Sequence, residues 1–343
     1  MKQFTITPEE LQKSAVKYLP QLLKMPVIAA QETLKHMTPR PGTRGRVVLG
    51  EIGGDLEIGP YDPHREDEGD FSVKGRSLET FLGSVIKKFD PNQVWPTIYG
   101  SLTTQGEALK DVNITREVLS FLAAQLGKKL NMSIWGAVRN DQGTTTKDLF
   151  NGLDTIAVAE ITAGNISVAK KNLFQFSDPI SSDNAVDLLK SFYRAAVPEL
   201  RGQKVKMYMT YDILDAYMDD YQQTVGAAPY NTKFEKPVLE GSNGLCEFVP
   251  LVSKTGSPFI TLAPQGNVFY GYGDGLADEK IAVEKHHALL LDFVATMYFG
   301  TQYKTVSPEM LLIGQLASSN SSAVQDGGSD NTGGSDNTGP DGE

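Results

Sequence analysis

Cysteine is nearly absent from this sequence: Cys246 is the single thiol among 343 residues. One thiol cannot close an internal disulfide, and a metal site built on several cysteines is excluded. That usage fits synthesis in a reducing cytoplasm. No apolar run reaches the roughly 18–20 residues that a membrane span needs. The start, Met1-Lys2-Gln3-Phe4-Thr5, lacks a charged region followed by an apolar block, so no signal peptide is expected. Positive charge is in deficit as well: 32 Lys and Arg stand against 42 Asp and Glu, for a formal net charge of −10. Phosphate backbones repel such a surface, which argues against general nucleic-acid binding. Lys and Arg gather only in the short pairs Lys87-Lys88, Lys128-Lys129 and Lys170-Lys171, each expected on a solvated face.

Signatures of catalysis are missing too. No GxSxG and no HExxH occurs. The neighbours His286 and His287 would diverge on either a strand or a helix, so they do not grip one metal easily. The segment Gly271-Tyr272-Gly273-Asp274-Gly275 misplaces the third glycine of GxGxxG, and no Lys-Ser/Thr pair follows for a P-loop, so it reads as a turn. Cys246 lies beside Leu245, Glu247 and Phe248 with no cation to activate it, and reads as a buried, inert thiol. The acidic stretch around His64 (Asp62, Glu66, Asp67, Glu68, Asp70) offers oxygen ligands for a hard cation without the spacing of the calcium loop. A solvated tip is the simpler reading. No catalytic, cofactor-binding or metal-ligating residue is assigned, no cofactor is expected, and the chain reads as a non-enzyme.

What the sequence does contain is a fair core, 40% hydrophobic against 22% charged, enough for two compact units. Thr7-Pro8-Glu9-Glu10 opens a helix with a capping box, and the first arm, about 1–40, stops at Thr38-Pro39-Arg40-Pro41-Gly42. Two strand-like runs, 45–52 and 71–82, flank a tip rich in turn residues and acids, which predicts a projecting loop with no core of its own. Asn113 caps a long helix in which Val118, Leu122, Leu126, Leu130, Ile134 and Val138 recur every fourth residue. Leu119, Phe121 and Trp135 widen that stripe. From 114 to 138 it would span roughly 37 Å at about 1.5 Å per residue, with Gly127 and Gly136 favouring a bend or an early end.

The middle alternates. Residues 153–161 read as a strand, and Ser182 starts a helix bearing Val186, Leu189, Phe192 and Tyr193 that ends near Pro198. A strand over 203–210 puts Val205, Met207 and Met209 on one face. Thr210 caps a helix over 211–223, and strands follow at 247–252 and 267–272. The class is α+β, without the regular strand–helix repeat of a doubly wound sheet. After a last apolar stretch at 280–316 the composition collapses into Ser, Gly, Asp and Asn. Gly-Gly-Ser-Asp-Asn-Thr occurs twice, at 327–332 and 333–338, which predicts a disordered tail over 317–343.

This order of parts resembles the tailed-bacteriophage major capsid proteins of the Hong Kong 97 fold. Local stretches add to it. Lys204-Val205-Lys206-Met207-Tyr208-Met209-Thr210-Tyr211-Asp212 is similar to the family's strand-then-helix. Asp292-Phe293-Val294-Ala295-Thr296-Met297 and Tyr303-Lys304-Thr305-Val306-Ser307-Pro308-Glu309-Met310 are similar to its late strands. The likeness covers about 30–316. It implies an N-terminal arm (1–41), an extended E-loop hairpin (42–95) and a P-domain (96–140 and 280–316) with a spine helix at 113–139. An A-domain at 141–279 and the tail at 317–343 complete the division.

The function so implied is self-assembly into hexamers and pentamers of an icosahedral virion head enclosing double-stranded DNA, built in the host bacterial cytoplasm. Implied partners are neighbouring subunits, through E-loop and N-arm, and scaffolding, portal and decoration proteins. Packaged DNA would be held only weakly, and no membrane is involved. No long N-terminal scaffolding segment is present, so assembly help is expected from a separate protein or the short arm. Two alternatives stand beside this: an encapsulin nanocompartment shell of the same fold, and a soluble metal-dependent enzyme using His286 or the acidic tip.

Overall fold

The computed structural model describes residues 22, 24–54, 71–89, 114–225, 238–285 and 290–317. The expected capping box at Thr7, the acidic tip with His64, the Asn113 cap, the His286-His287 pair and the tail beyond 317 lie outside them. In chain order the described elements begin with α1 (Gln31–Leu34), β1 (Thr38–Pro41), β2 (Arg46–Gly54), β3 (Phe71–Glu79), β4 (Phe81–Phe89) and α2 (Ile114–Ser133). Then come α3 (Leu153–Thr162), β5 (Leu173–Gln175), α4 (Ala185–Ala195), α5 (Pro198–Arg201), β6 (Val205–Met209), α6 (Tyr211–Val225) and β7 (Cys246–Pro250). The chain closes with β8 (Phe259–Ala263), β9 (Val268–Tyr272), β10 (Lys280–Lys285), β11 (Leu291–Tyr303) and β12 (Leu312–Gln315). The mixed α+β class is as expected.

β11 organises the first sheet. β4 pairs antiparallel along residues 291–299 on one edge, while β10 and then β9 share the other edge in tandem, at 291–296 and 299–303. β1 adds in parallel outside β9. The side chains alternate as a half-covered sheet requires. Ile281, Val283, Phe293 and Ala295 face inward onto Leu119 and Ala123 of α2. On the other face of β4, Leu82 and Ile86 stand open.

The second sheet runs β5-β12-β8-β6-β7. Its central strand β8 is buried along its whole length and serves two cores at once. Ile260 and Leu262 meet Leu189, Phe192, Ile213 and Tyr217 from α4 and α6, whereas Phe259 and Ala263 enter the core around Trp135, Phe150, Phe299 and Tyr303. β6 divides the same way, with Val205, Met207 and Met209 on the first side, as the alternation predicts, and Tyr208 on the second.

Three expectations need correction. Residues 153–161 form helix α3, not a strand. Leu153 and Ala157 are buried one turn apart, and the helix stops just before Gly164, whose φ of +71° suits the residue after a helix end. The β-branched content made this short apolar run look like a strand, and tertiary packing decided otherwise. The single run expected at 71–82 is two strands, with only Thr80 between β3 and β4.

The long helix ends at Ser133, giving about 30 Å at ~1.5 Å per residue. Its stripe is narrower than expected, since Phe121 and Val138 are exposed. Gly127 faces the segment before it. A Cβ there would lie 2.3 Å from the Pro26 carbonyl oxygen, so this glycine lets the preceding segment pack tightly against the helix.

Candidate assembly surface

Among the described residues, the positions singled out in the sequence form no catalytic constellation. Cys246 is wholly buried in β7, and burial, helped by nearby Glu247, pushes its thiol far above the ordinary range. Gly271–Gly275 forms the end of β9 and the turn toward β10, with Gly275 at a φ of +78°. Lys87, Lys88, Lys128, Lys129, Lys170 and Lys171 are exposed. Among the described residues no three His, Cys, Asp or Glu side chains gather as metal ligands, and no helix is long and apolar enough to cross a membrane.

The feature that stands apart is the β2–β3 hairpin. Its strands pair from Arg46 opposite Glu79 out to Gly54 opposite Phe71, and form a two-stranded sheet of their own. Nine residues per strand extend it by about 30 Å at ~3.3 Å each. Val47, Val48, Ile52 and Val73 favour extended strands while the glycines weaken them, and two strands alone are marginal in water, so the base must be held.

It is held firmly. Leu49 and Leu78 bury against Phe269 of β9. The Thr80 backbone N–H donates to the Gly45 carbonyl at 2.8 Å, and its hydroxyl donates to the Thr43 carbonyl at 3.0 Å. Gln302 Nε2 of β11 donates to the Ser77 carbonyl at 3.0 Å. Gly300 is required here, because a Cβ would lie 2.0 Å from the Glu79 carbonyl oxygen.

An ion pair completes the clamp. Arg76 Nη2 meets Glu160 Oε1 of α3 at 2.6 Å, with the side chains 22% and 17% exposed. Burial, the largest single influence, works against ionising Glu160. The hydrogen bonds from Arg76 and Asn165, with the Arg76 charge, prevail and hold its carboxyl below the usual range. Beside the clamp, apolar side chains stay in water: Val48 on β2 is 67% exposed, and Ile86 on β4 is 66% exposed.

Two buried polar centres stiffen the platform beneath. Lys254 Nζ, fully enclosed, donates to Asp154 Oδ1 at 3.0 Å, Ser257 Oγ at 3.1 Å and the Phe259 carbonyl at 2.8 Å, and sits 4.1 Å from the Trp135 ring centroid. Burial lowers the Lys254 pKa and the Asp154 charge opposes that shift. With its three hydrogen bonds, the group pins α3 to the core. Glu279 performs a second service where β9 gives way to β10 along β11. Its carboxylate accepts from the backbone N–H groups of Gly275, Leu276 and Tyr298, the last at 2.9 Å, and replaces the ladder bonds lost in the gap. A Cβ on Gly273 would collide with that carboxylate.

An open cleft of about 350 Å³ lies between β4, α2 and the 139–149 loop. Arg139 stacks on Phe81 with 3.6 Å from Cζ to the ring centroid and donates to the Leu149 carbonyl at 2.7 Å. Its charged group is thereby used in packing.

Sequence reasoning located the hairpin and missed its fastenings, because Arg76 and Glu160 are 84 residues apart and Asp154 and Lys254 are 100 apart. It also passed over a legible signal, Asn243-Gly244, a pair that favours tight two-residue turns.

No protein-family model matches the sequence, and no curated protein does. Solved structures do. A chain of the satellite phage P4 procapsid, solved with its size-determination (Sid) protein, matches with a TM-score of 0.56 at 11% identity, covering 92% of this chain and 93% of its own. The capsid of the native GTA particle matches with a TM-score of 0.54 at 10% identity over 84% and 90%. The capsid of the empty GTA particle gives 0.51 at 8% over the same shares. With a mixed α+β architecture alike over nearly its whole length, this chain has the fold of the phage major capsid proteins.

Proposed function

We propose that this chain is the major capsid protein of a tailed bacteriophage. In this reading it assembles into hexamers and pentamers of an icosahedral head around double-stranded DNA and catalyses no reaction. The observation that carries it is the clamped ribbon β2–β3, which leaves the body of the subunit with apolar side chains in water. A ribbon of this kind gains its burial from a neighbour. Head subunits repeat heterologous interfaces around and between rings, and obligate interfaces bury on the order of 2,000–5,000 Å².

The arm is assigned to 1–41, the E-loop to 42–95, the P-domain to 96–140 and 280–316 with its spine helix at 113–139, and the A-domain to 141–279. Within 42–95, β4 is tied along β11, which leaves the ribbon β2–β3 as the part offered to a neighbour. Scaffolding, portal and decoration proteins are the further partners, and the virion is the site of action. A net charge of −10 suits a container that must not grip its genome.

Electron microscopy of the purified chain, with a scaffold partner where one exists, tests the reading. Hollow shells or rings are expected. A chain that stays monomeric under all assembly conditions refutes it.

A further inference from the structure

The sequence contains two Asn-Gly pairs, Asn151-Gly152 and Asn243-Gly244. Next to glycine, the asparagine amide carbon is open to attack by the following backbone nitrogen, since no side chain on that residue blocks the approach. The fold treats the two pairs in opposite ways.

Asn151-Gly152 is locked. Asn151 Oδ1 accepts the Arg139 backbone N–H at 2.9 Å, and the Gly152 N–H, which would have to become the nucleophile, is committed to the Ala137 carbonyl at 2.8 Å. Gly152 is buried, and a Cβ on it would lie 2.2 Å from the Trp135 carbonyl oxygen, so the backbone has no room to move.

Asn243-Gly244 occupies the tip of a turn before β7, between Val238 and Glu247, which bridge each other. The Leu245 N–H donates to the Ser242 carbonyl at 3.0 Å across it. Asn243 and Gly244 both have positive φ, +54° and +76°, as the tight two-residue turn favoured by Asn-Gly requires. Both are exposed, no hydrogen bond among the described residues engages the Asn243 amide or the Gly244 N–H, and the space around the Gly244 Cα is open.

We propose that Asn243 is a site of spontaneous, self-modifying deamidation, and that the fold confines this chemistry to it. The Gly244 nitrogen, losing its proton to water or hydroxide, forms a bond to Asn243 Cγ as the Cγ–Nδ2 bond breaks and ammonia leaves. The resulting succinimide takes up one water and opens to aspartate or to isoaspartate, in which the chain runs through Cβ and Cγ. The balance is water in and ammonia out, with no oxidant. The product places a carboxylate at the rim of a cleft of about 290 Å³ that Arg201 and Tyr193 also line. The isoaspartyl form adds a methylene to a turn fitted for two residues.

The full chain is incubated at mildly alkaline pH, folded and in denaturant, and proteolytic peptides are followed by mass spectrometry and by isoaspartate-specific enzymatic methylation. In the folded chain Asn243 converts about tenfold faster than Asn151 or more, a barrier difference of ~1.4 kcal/mol. In denaturant the difference disappears. A Gly244→Ala variant slows conversion at Asn243 and leaves Asn151 unchanged. Equal rates in the folded chain overturn the proposal, as does an Asn243 that stays intact when folded while both sites react when unfolded.

Discussion

Lys254 is fully enclosed in the core, where Asp154, Ser257 and the Phe259 carbonyl receive its three donors. Replacing it by Met strands the Asp154 carboxylate. We expect a loss of about 3–5 kcal/mol of folding stability in urea titrations, with Asp154→Asn in the same chain recovering part of it. Arg76→Ala is milder, since the pair it forms with Glu160 still touches solvent, and should cost about 1–3 kcal/mol. The pH dependence of that pair follows from the depressed Glu160 pKa. Its contribution is present above the unfolded carboxylate value and fades as the pH falls through the folded one.

Tyrosines act at the other end of the scale. Burial raises Tyr217 and Tyr270 to about 12 from the ordinary 10.0, so folding protects their protons. Stability held below pH 10 should therefore be lost as the pH rises toward about 12. Tyrosinate absorbance followed beside circular dichroism checks this: ionisation of these two should coincide with unfolding. None of these groups announced itself in sequence, because each owes its character to residues remote along the chain.

Elements were more legible than residues. The ribbon strands β2 and β3 stood out as strand-like runs flanking a tip rich in turn residues and acids, and α2 as a stripe with four-residue spacing. Both signals are local and depend on little else. α3 was misread because a short run of mostly apolar and β-branched residues satisfies either period, and the burial of Leu153 and Ala157 one turn apart fits the helix. The order in which β9 and β10 share one edge of β11 is a long-range fact with no local trace. At this scale the test is deletion of residues 53–70. The clamp at Thr80, Ser77 and Arg76 lies wholly on the body side, so the shortened chain should melt as a cooperative folded protein yet fail to form shells by electron microscopy. Loss of the cooperative melt would contradict the reading of this segment as a projection.

For the whole molecule, the exposed residues matter as much as the buried ones. Val48 and Ile86 contribute little to the isolated subunit, so Val48→Asp with Ile86→Asp should leave its melting within about 0.5 kcal/mol of the parent. Assembly, read by sedimentation or light scattering, should fall sharply if these side chains meet a neighbour. An unchanged assembly yield would place the contact elsewhere.

Thr80 has a mechanical consequence. With a single residue between β3 and β4, and β4 paired along β11 from Phe81 to Phe89, the ribbon and the sheet form one lever with a short fulcrum. A pull at the far end reaches β11 directly, with no slack loop to absorb it. Tilting the ribbon therefore has to twist the strand on which β4, β9 and β10 all depend.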